Sequence, residues 1–374
     1  MTDPLDMTVA VLGGGVLGLS TAAALAKRGA RVTVLTEATV ASGASGRSLA
    51  WLNSFGMRSP QYHQLRLLGL DRYRTLATRT ADSARHLRFD GGLTWVSDDR
   101  LEDRRTAYQH MRDIGYAAEW VTREDISALT PGVDPEAVPA EGAIFNPQEG
   151  WVDLPWLIQH LAGELLRLGG VIQEDAGPSE VVVTGDRVTA VRAGDGTQTP
   201  VDAAVLATGA GVPKAVARLG VTIPDATPIA LLVRTPPVGT SLRAVLNTPR
   251  VAVRPTPDGA LVMDSGWSER EVEVRPDGTW FAREETVEGL LQAASDVLEG
   301  HPPLTRESVG MGPKPIPGDG EPVLGPLDEV AGCYVAFTHS GATLGLIAGE
   351  LLADEIVGRR VHPLLRPFLP SRFA

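Results

Sequence analysis

The sequence has only one cysteine, Cys333, among 374 residues. A single cysteine excludes an intrachain disulfide and a metal site built from cysteines alone, and we predict no metal site. Disulfides mark oxidising compartments, so their absence is compatible with a reducing cytosol. We therefore expect a cytoplasmic protein.

Positive charge is also scarce. The chain carries 34 basic and 46 acidic residues, which gives a formal net charge of -12. Nucleic-acid binding needs a basic surface, so we expect no nucleic-acid partner. The only lysines are Lys27, Lys214 and Lys314, and arginine supplies the remaining positive charge. Lysine is therefore rare in this sequence, and each lysine is a candidate for a specific role.

One uncharged run, residues 7–26, is long enough to cross a bilayer and is therefore a candidate membrane span. Its glycine cluster counts against a span. Asp3 and Asp6 precede it where a signal peptide carries basic residues, so we expect neither a signal peptide nor a span. With 43% hydrophobic residues, the chain can instead bury a large core, and its length suggests about two domains.

The start of the chain reads as a strand, a glycine turn, a helix and a second strand. The apolar run Thr8–Leu12 predicts a buried strand, Val16–Lys27 a helix and Arg31–Thr36 a second buried strand. This order is a β-α-β unit. Its turn contains "GGGVLG", which fits the G-x-G-x-x-G spacing of dinucleotide-binding proteins.

Each glycine of that motif has a physical role. Gly13 permits the sharp turn, Gly15 lets a pyrophosphate approach the backbone, and Gly18 permits close packing of helix on strand. The helix start then presents free N–H groups to the phosphates. Glu37 follows the second strand and can accept hydrogen bonds from a ribose. The alternative is a turn without ligand and a solvated acid; the ordered set favours a dinucleotide, NAD or FAD.

Three later segments extend the pattern. A run of small residues, "VASGASGRS", begins at Val40 and contains Arg47, and its N–H groups can surround a second phosphate or a flavin edge. Another buried strand is predicted at Val201–Leu206, and "ATGAG" follows it. Near the C-terminus we predict a strand at Tyr334–Phe337, a glycine-rich loop at His339–Gly345 and a helix at Leu346–Val357.

In this order the chain resembles the D-amino-acid oxidase, glycine oxidase and sarcosine oxidase family of FAD-dependent oxidoreductases. The segments that carry the resemblance are "VLGGGVLGLS", "ASGASGRS", "GWVDLPWLIQHLAGELLRLGG", "VLATGAG", "KPIPGDGEPVLGPL" and "VAFTHSGATLGLIAGELLADEI". It implies an α/β plus α+β fold, with a Rossmann-like FAD-binding domain of the glutathione-reductase type and a discontinuous, mostly antiparallel-sheet substrate domain. The implied FAD-binding segments are 1–82, 145–215 and 305–374, and the substrate-binding segments are 83–144 and 216–304.

The resemblance also implies the FAD contacts. A helix start near the flavin would stabilise its anionic reduced form. The predicted cofactor-binding residues are Gly13, Gly15, Val16, Leu17, Gly18, Glu37, Ser42, Gly43, Ala44, Ser45, Arg47, Ser48, Ala207, Thr208, Gly209, Gly312, His339, Ser340, Gly341, Ala342 and Thr343.

In the predicted substrate domain, the apolar segments Leu93–Trp95 and Trp120–Val121 alternate with charged segments. Three further strands are expected without helices between them, at Pro228–Val233, Val251–Arg254 and Leu261–Asp264, which favours antiparallel sheet. One amphipathic helix is predicted at Glu284–Glu299. We interpret its apolar face as core rather than ligand contact; that face comprises Val287, Leu290, Leu291, Ala294 and Leu298.

The resemblance implies oxidation of a C–N bond in an amino acid or a related secondary amine. Hydride transfer to the flavin gives an imine that water hydrolyses, so no acid–base residue is needed if the amine binds neutral. Alternatives are a 2-hydroxy acid substrate, a flavin dehydrogenase subunit of a hetero-oligomeric complex, and an NAD-binding sensor without catalysis. The expected partners are a small-molecule substrate, dioxygen or another electron acceptor, and, in the hetero-oligomeric alternative, a partner subunit.

A substrate carboxylate would need a cation in an apolar pocket. Glycine oxidases and D-amino-acid oxidases commonly carry arginine where this chain has Lys314, so Lys314 is a catalytic and substrate-binding candidate; the alternative is a solvent-facing lysine. His339 is the second catalytic candidate; the alternative is a histidine that only forms hydrogen bonds to nearby backbone. The other substrate candidates are Trp51, Asn53, Arg250 and Arg254.

Three departures from the family pattern bear on the chemistry. No cysteine lies near Met311, where some sarcosine oxidases attach flavin, so we predict non-covalent FAD. Pro178 falls where a backbone pair usually contacts adenine, and proline has no N–H to donate, so either the register is shifted or adenine is held differently. The family's monooxidases use a lysine of the substrate domain beside the flavin to assist dioxygen, and no lysine lies between Lys214 and Lys314. This favours a dehydrogenase over an oxidase without excluding an oxidase.

Overall fold

The computed structural model describes residues 6–358 and 360–374, and the chain divides into two compact units. The first unit comprises Met1–Gly46, Leu154–Pro228 and Pro313–Ala374. The second comprises Arg47–Asp153 and Ile229–Gly312. Both units are discontinuous in sequence, and residues 47–82 belong to the second unit.

The helices and strands are as follows. The helices are α1 (Val16–Lys27), α2 (Pro60–Ala77), α3 (Ala81–His86), α4 (Leu101–Asp113), α5 (Arg123–Leu129), α6 (Leu154–Arg167), α7 (Val212–Ala217), α8 (Gly266–Arg270), α9 (Glu284–Asp296) and α10 (Gly341–Gly358). The strands are β1 (Thr8–Leu12), β2 (Arg31–Leu35), β3 (Trp51–Leu52), β4 (Leu87–Arg88), β5 (Gly92–Thr94), β6 (Glu119–Val121), β7 (Ala143–Asn146), β8 (Gly150–Val152), β9 (Val171–Gln173), β10 (Glu180–Thr184), β11 (Arg187–Arg192), β12 (Gln198–Pro200), β13 (Ala203–Leu206), β14 (Ile229–Arg234), β15 (Val245–Asn247), β16 (Ala252–Pro255), β17 (Leu261–Asp264), β18 (Glu273–Val274), β19 (Trp280–Phe281), β20 (Ser308–Pro313), β21 (Val323–Pro326) and β22 (Cys333–Phe337).

The first unit is built on a six-stranded sheet with the order β21-β22-β13-β1-β2-β9. Strand β1 pairs in parallel with β2 and β13, and only β21 runs antiparallel to its neighbour. Residues Val9–Leu12 and Ala203–Leu206 are fully buried, as expected of parallel strands covered on both faces. This confirms the predicted Rossmann-like architecture and its opening β-α-β unit.

The second unit is built on an eight-stranded sheet with the order β20-β14-β17-β16-β15-β5-β7-β6. From β14 to β6 its pairings are antiparallel except for β5 with β15, so the prediction of a mostly antiparallel sheet is confirmed. Helix α9 begins at Glu284, as predicted, and ends at Asp296, three residues before the predicted end. All five residues of its predicted apolar face are buried in the core of this unit.

Pairing and burial explain why residues 47–82 join the second unit. Strand β3 pairs with β8 through Trp51 and Trp151. Helix α2 starts at Pro60 after a serine cap, because the Ser59 side chain accepts a hydrogen bond from the Tyr62 N–H. Its buried face includes Leu70, which is fully inaccessible to solvent. The segment is therefore part of that unit's core rather than an extension of the first unit.

The prediction for the C-terminal segment is wrong in one respect. Helix α10 begins at Gly341 rather than at Leu346, so most of the predicted loop is helical. The buried residues Thr343, Leu344 and Gly345 lie in its first turns, and this burial outweighs the low intrinsic helix propensity of glycine. Over residues 6–358 and 360–374, none of the helices combines the length and the apolar character that a membrane span needs.

Candidate functional site

The turn between β1 and α1 can be formed only with glycine at two positions. Gly13 has φ +119°, a conformation that favours glycine, and a Cβ added there would lie 2.3 Å from the Ala207 carbonyl oxygen. A Cβ on Gly18 would lie 1.9 Å from the Gly13 carbonyl oxygen. The ends of β1 and β13 and the first turn of α1 therefore meet without side chains between them.

Gly15 presents open backbone at the start of α1. A Cβ added to Gly15 would have only the Ser45 hydroxyl within 4 Å, at 3.2 Å. The Ser45 hydroxyl accepts a hydrogen bond from the Val16 N–H at 3.1 Å, which ties the small-residue loop to the helix. Open backbone beside a helix N-terminus fits a pyrophosphate, so this cradle fits the ADP half of FAD.

Glu37 is exposed at the end of β2. Its carboxylate forms no hydrogen bond or ion pair with any residue that the structure describes, so it can accept from a ribose. Its carbonyl accepts from the Gly177 N–H at 3.2 Å, and the Thr36 carbonyl accepts from the Ala176 N–H at 3.0 Å. These bonds place the segment before Pro178 beside Glu37, where the adenine contacts are predicted.

The small-residue loop has two parts. Ser42 and Gly43 are exposed, while Ala44–Gly46 form a short 3-10 turn. The Ala41 N–H donates to the Gly14 carbonyl at 3.0 Å, so the loop is fixed to the glycine turn. Its predicted backbone donors therefore lie beside the start of α1.

Arg47 and Ser48 follow in the second unit, where Arg47 lies over two glycines of β20. A Cβ on Gly310 or Gly312 would approach the Arg47 side chain to 3.0 Å or 2.9 Å. The Arg47 Nε is buried and has no hydrogen-bond partner among the described residues. Ser48 instead accepts from the Ala50 N–H at 3.0 Å. An unpartnered buried guanidinium N–H is the donor that a phosphate or flavin oxygen would use.

The remaining cofactor candidates of the first unit lie at two further element ends. The Ala207 N–H donates to the Leu12 carbonyl at 2.9 Å, and Thr208 is exposed before the turn at Gly209. At the start of α10, a Cβ on Gly341 would lie 3.3 Å from Val16 Cγ1. The fold thus brings together the starts of α1 and α10, which are distant in sequence.

The residues around Gly341 differ in exposure. His339 is exposed, whereas Ser340 and Thr343 are buried. The Ser340 N–H donates to the Thr338 hydroxyl at 3.1 Å and its carbonyl accepts from the Leu344 N–H at 2.9 Å, which starts the helix. A catalytic role for His339 stays a prediction.

Lys314 is half-buried in a proline-rich segment of the first unit. Its N–H donates to the Pro228 carbonyl at 2.9 Å. The next residue, Pro315, would lie 3.4 Å from a Cβ on Gly209. Lys314 therefore neighbours a predicted flavin loop, and its substrate role stays a prediction.

The two arginine candidates of the second unit have different settings. Arg250 is exposed and stacks its guanidinium 4.8 Å from the centre of the Trp267 ring, while the Trp267 N–H donates to the Arg250 carbonyl at 2.7 Å. Arg254 is 4% exposed. Burial lowers the pKa of Arg254 to about 10, against the field of Asp153, which raises it.

The Arg254 guanidinium is held by carbonyls. Its Nε donates to the Leu49 carbonyl, its Nη1 donates to the Pro255 carbonyl at 2.8 Å, and it lies 5.1 Å from the centre of the Trp151 ring. In the described part of the chain it forms no ion pair, and its Nη2 has no hydrogen-bond partner. Trp151 belongs to an apolar cluster that includes the substrate candidate Trp51. The other members of this cluster are Leu49, Val245, Val262, Leu232 and Ala252.

Sequence reasoning missed a buried polar cluster that holds Asn53. Arg66, 2% exposed, donates from Nε to the Asn53 carbonyl at 2.8 Å and from Nη2 to its side-chain oxygen at 2.9 Å. A third bond joins Arg66 Nη1 to the Tyr62 hydroxyl at 3.0 Å. Asn53 is therefore held by Arg66, and the signal that could have found this is an arginine on the apolar face of α2.

The same cluster contains a buried carboxyl, Glu149. The Tyr116 hydroxyl donates to Glu149 Oε1 at 2.6 Å and accepts from the Ser54 N–H at 3.0 Å. Burial raises the pKa of Glu149 to about 8, although Tyr116 and Arg66 oppose the shift. The Ser54 hydroxyl bonds His63 Nδ1 at 2.8 Å, and burial with the nearby Arg66 charge lowers the pKa of His63.

The chain is similar to known proteins over nearly its whole length. The model of the family DAO, FAD dependent oxidoreductase, matches residues 8–355. Glycine oxidase of Geobacillus kaustophilus is 26% identical over 383 residues, which cover 97% of this chain and 96% of that protein. An opine oxidase subunit of Agrobacterium tumefaciens is 24% identical over 387 residues, which cover 99% of this chain and 98% of that protein.

A solved structure shows the same fold. L-amino acid deaminase from Proteus myxofaciens, determined in complex with anthranilate, superposes with a TM-score of 0.83 at 20% identity and covers 99% of this chain and 94% of that chain. The two chains therefore share both the Rossmann-like unit and the antiparallel-sheet unit.

Proposed function

Because this chain belongs to the DAO family of FAD dependent oxidoreductases, we propose that it oxidises the C–N bond of an amino acid or a related secondary amine. When bound, FAD supplies the acceptor for the hydride that leaves the carbon next to nitrogen, and water then hydrolyses the imine. The relatives named glycine oxidase and L-amino acid deaminase support an amino-acid substrate. The observation that carries the proposal is Arg254, a buried cation without an ion-pair partner in the described chain.

The chain's own residues bind the cofactor in this proposal. The Gly15 backbone and the start of α1 hold the pyrophosphate, and Glu37 accepts from the ribose hydroxyls. Arg47 supplies its unpartnered Nε to an anionic oxygen. No cysteine of this chain lies near Met311, so FAD is held without a covalent bond.

We assign the substrate carboxylate to Arg254 in preference to Lys314. The fixed Nε and Nη1 bonds orient the guanidinium and leave Nη2 to donate. A buried charge without an ion pair costs free energy, so binding a carboxylate there is favoured. The neighbouring side chains of Trp51, Leu232 and Ala252 exclude water from the apolar part of the substrate. An amine that binds neutral needs no protein base.

An anaerobic screen of the flavin band tests this function. We expect amino acids or N-methyl amino acids to bleach it, and bleaching by hydroxy acids alone would overturn the C–N assignment. For the identified acid, Arg254→Lys should raise KM about 10- to 100-fold, because a charged hydrogen bond is lost. Arg250→Ala is the matched control and should leave KM unchanged, since Arg250 stacks on Trp267 at the surface. An unchanged KM in Arg254→Lys would remove Arg254 from the site.

A second candidate function is that of a flavin-carrying component of a larger dehydrogenase in the cytoplasm. It is favoured by the similarity to the opine oxidase subunit of Agrobacterium tumefaciens and by the lack of lysine between Lys214 and Lys314. The purified chain distinguishes the cases. Peroxide formation identifies an oxidase using dioxygen, dye reduction without peroxide a dehydrogenase, and bleaching without dye turnover a component that needs its partner.

A further inference from the structure

A cavity of about 610 Å³ lies within the second unit. Its walls come from the end of α3, from β4 and β8, and from the segments before β15 and after β16. Every residue of its lining belongs to the second unit. Its volume is in the range of small-molecule binding sites.

The lining carries an excess of positive charge. It contains three arginines, Arg85, Arg88 and Arg243, and one aspartate, Asp90. Asp90 is taken by Arg88, which donates to both carboxylate oxygens, at 2.9 Å and 3.1 Å. In the part of the chain that the structure describes, Arg85 and Arg243 form no ion pair. Two exposed arginines without ion pairs thus line one cavity in a chain whose net charge is -12.

Hydrogen bonds hold the backbone at or next to both arginines in place. Beside Arg85, the Asp153 N–H donates to the His86 carbonyl at 2.8 Å, and His86 Nδ1 lies 3.0 Å from Asp153 Oδ2. The Trp151 N–H donates to the Arg243 carbonyl at 3.2 Å, and Trp151 is 3% exposed. The nearby acids Asp82 and Asp153 both lie within ion-pair distance of His86.

We propose that this cavity binds a small organic anion through Arg85 and Arg243. Arginine forks fit carboxylate and phosphate oxygens, so the ligand carries one of these groups. The apolar walls formed by Trp151, Leu242 and Pro255 accommodate a hydrophobic body beside the charged group. Trp151 and Pro255 also contact Arg254, so this cavity adjoins the proposed carboxylate site, but its charged residues, Arg85 and Arg243, are distinct from Arg254.

Calorimetry on the FAD-loaded enzyme tests the proposal, with phthalate as the carboxylate probe and phenyl phosphate as the phosphate probe. We expect one of them to bind saturably without changing the flavin spectrum. Arg85→Ala/Arg243→Ala should raise its Kd at least 10-fold, the loss expected when charged hydrogen bonds are removed. Arg79→Ala is the matched control, because Arg79 is exposed and lies outside the lining.

The competing results are distinct. Binding only at tens of millimolar for both probes means an adventitious ion only and overturns the proposal. So does binding that the double variant retains, or binding that always perturbs the flavin spectrum. Arg243→Glu is a second variant that keeps the test decisive if the double variant does not fold, and it should abolish binding by charge reversal.

Discussion

The Tyr116 hydroxyl donates to Glu149 Oε1 at 2.6 Å inside the second unit, where both side chains are buried. Desolvation outweighs this bond and the charge of Arg66, so burial raises the pKa of Glu149 to about 8 from an ordinary value of 4.5. Near neutral pH the folded protein therefore keeps this carboxyl protonated, whereas the unfolded chain does not.

Stability should accordingly depend on pH through Glu149. Between about pH 4.5 and about pH 8 the folded state holds one proton more than the unfolded state, so the free energy of unfolding falls as pH rises through this window and levels off above it. The loss is on the order of a few kcal/mol. Urea unfolding of Glu149→Gln should show a smaller decline, because burial also raises the pKa of Glu355, to about 7, and that group still contributes. The exposed Glu288→Gln should retain the full decline. An undiminished decline in Glu149→Gln would contradict the assignment.

Removing Arg66 should destabilise the second unit. Arg66→Ala removes three hydrogen bonds that Arg66 donates to the Asn53 oxygens and the Tyr62 hydroxyl, at a cost of about 3 to 5 kcal/mol. Urea unfolding measures this change. The exposed Arg79→Ala serves as control and should shift stability by less than about 0.5 kcal/mol.

Substitutions in the glycine turn should separate folding from cofactor binding. Gly18→Ala drives a Cβ to 1.9 Å from backbone and should abolish both folding and FAD binding. Gly15→Ala requires only a small shift of the Ser45 hydroxyl, 3.2 Å from the added Cβ, and should keep the fold. It should weaken FAD binding about 10-fold, because the methyl group intrudes on the pyrophosphate path. Flavin fluorescence titration measures Kd. Gly163→Ala in α6 meets nothing within 4 Å and should gain about 0.5 to 1 kcal/mol with unchanged FAD affinity.

Glu37 should affect cofactor affinity without affecting stability. Its exposed carboxylate has no partner in the described chain, so Glu37→Gln should leave the apoprotein Tm unchanged. FAD affinity should fall about 10-fold, since charged acceptor bonds to the ribose become neutral ones. An unchanged Kd would show that the ribose is held elsewhere.

The flavin should be released by acid. Because no cysteine lies near Met311, acid precipitation should leave the yellow colour in the supernatant. Colour retained in the washed pellet would show a covalent link and contradict this prediction.

The sequence by itself determined the first unit's frame. Its β-α-β start was predictable because a parallel strand buried on both faces is a continuous apolar run, and because only glycine permits the contacts at Gly13 and Gly18. The apolar face of α9 was predictable for a related reason, since its 3.6-residue spacing reports burial directly.

Only the tertiary structure decided which polar residues are buried together. Asn53, Arg66, Tyr116 and Glu149 come from separate segments, and no local pattern marks a bond between residues so far apart. The same holds for Arg250 and Arg254, which were both predicted from sequence as carboxylate partners: Arg250 is exposed and stacks on the half-buried Trp267, whereas Arg254 is buried over Trp151. The periodicity of a strand or helix depends on residues that are close in sequence, whereas desolvation and charge pairing depend on residues that the tertiary structure brings close in space.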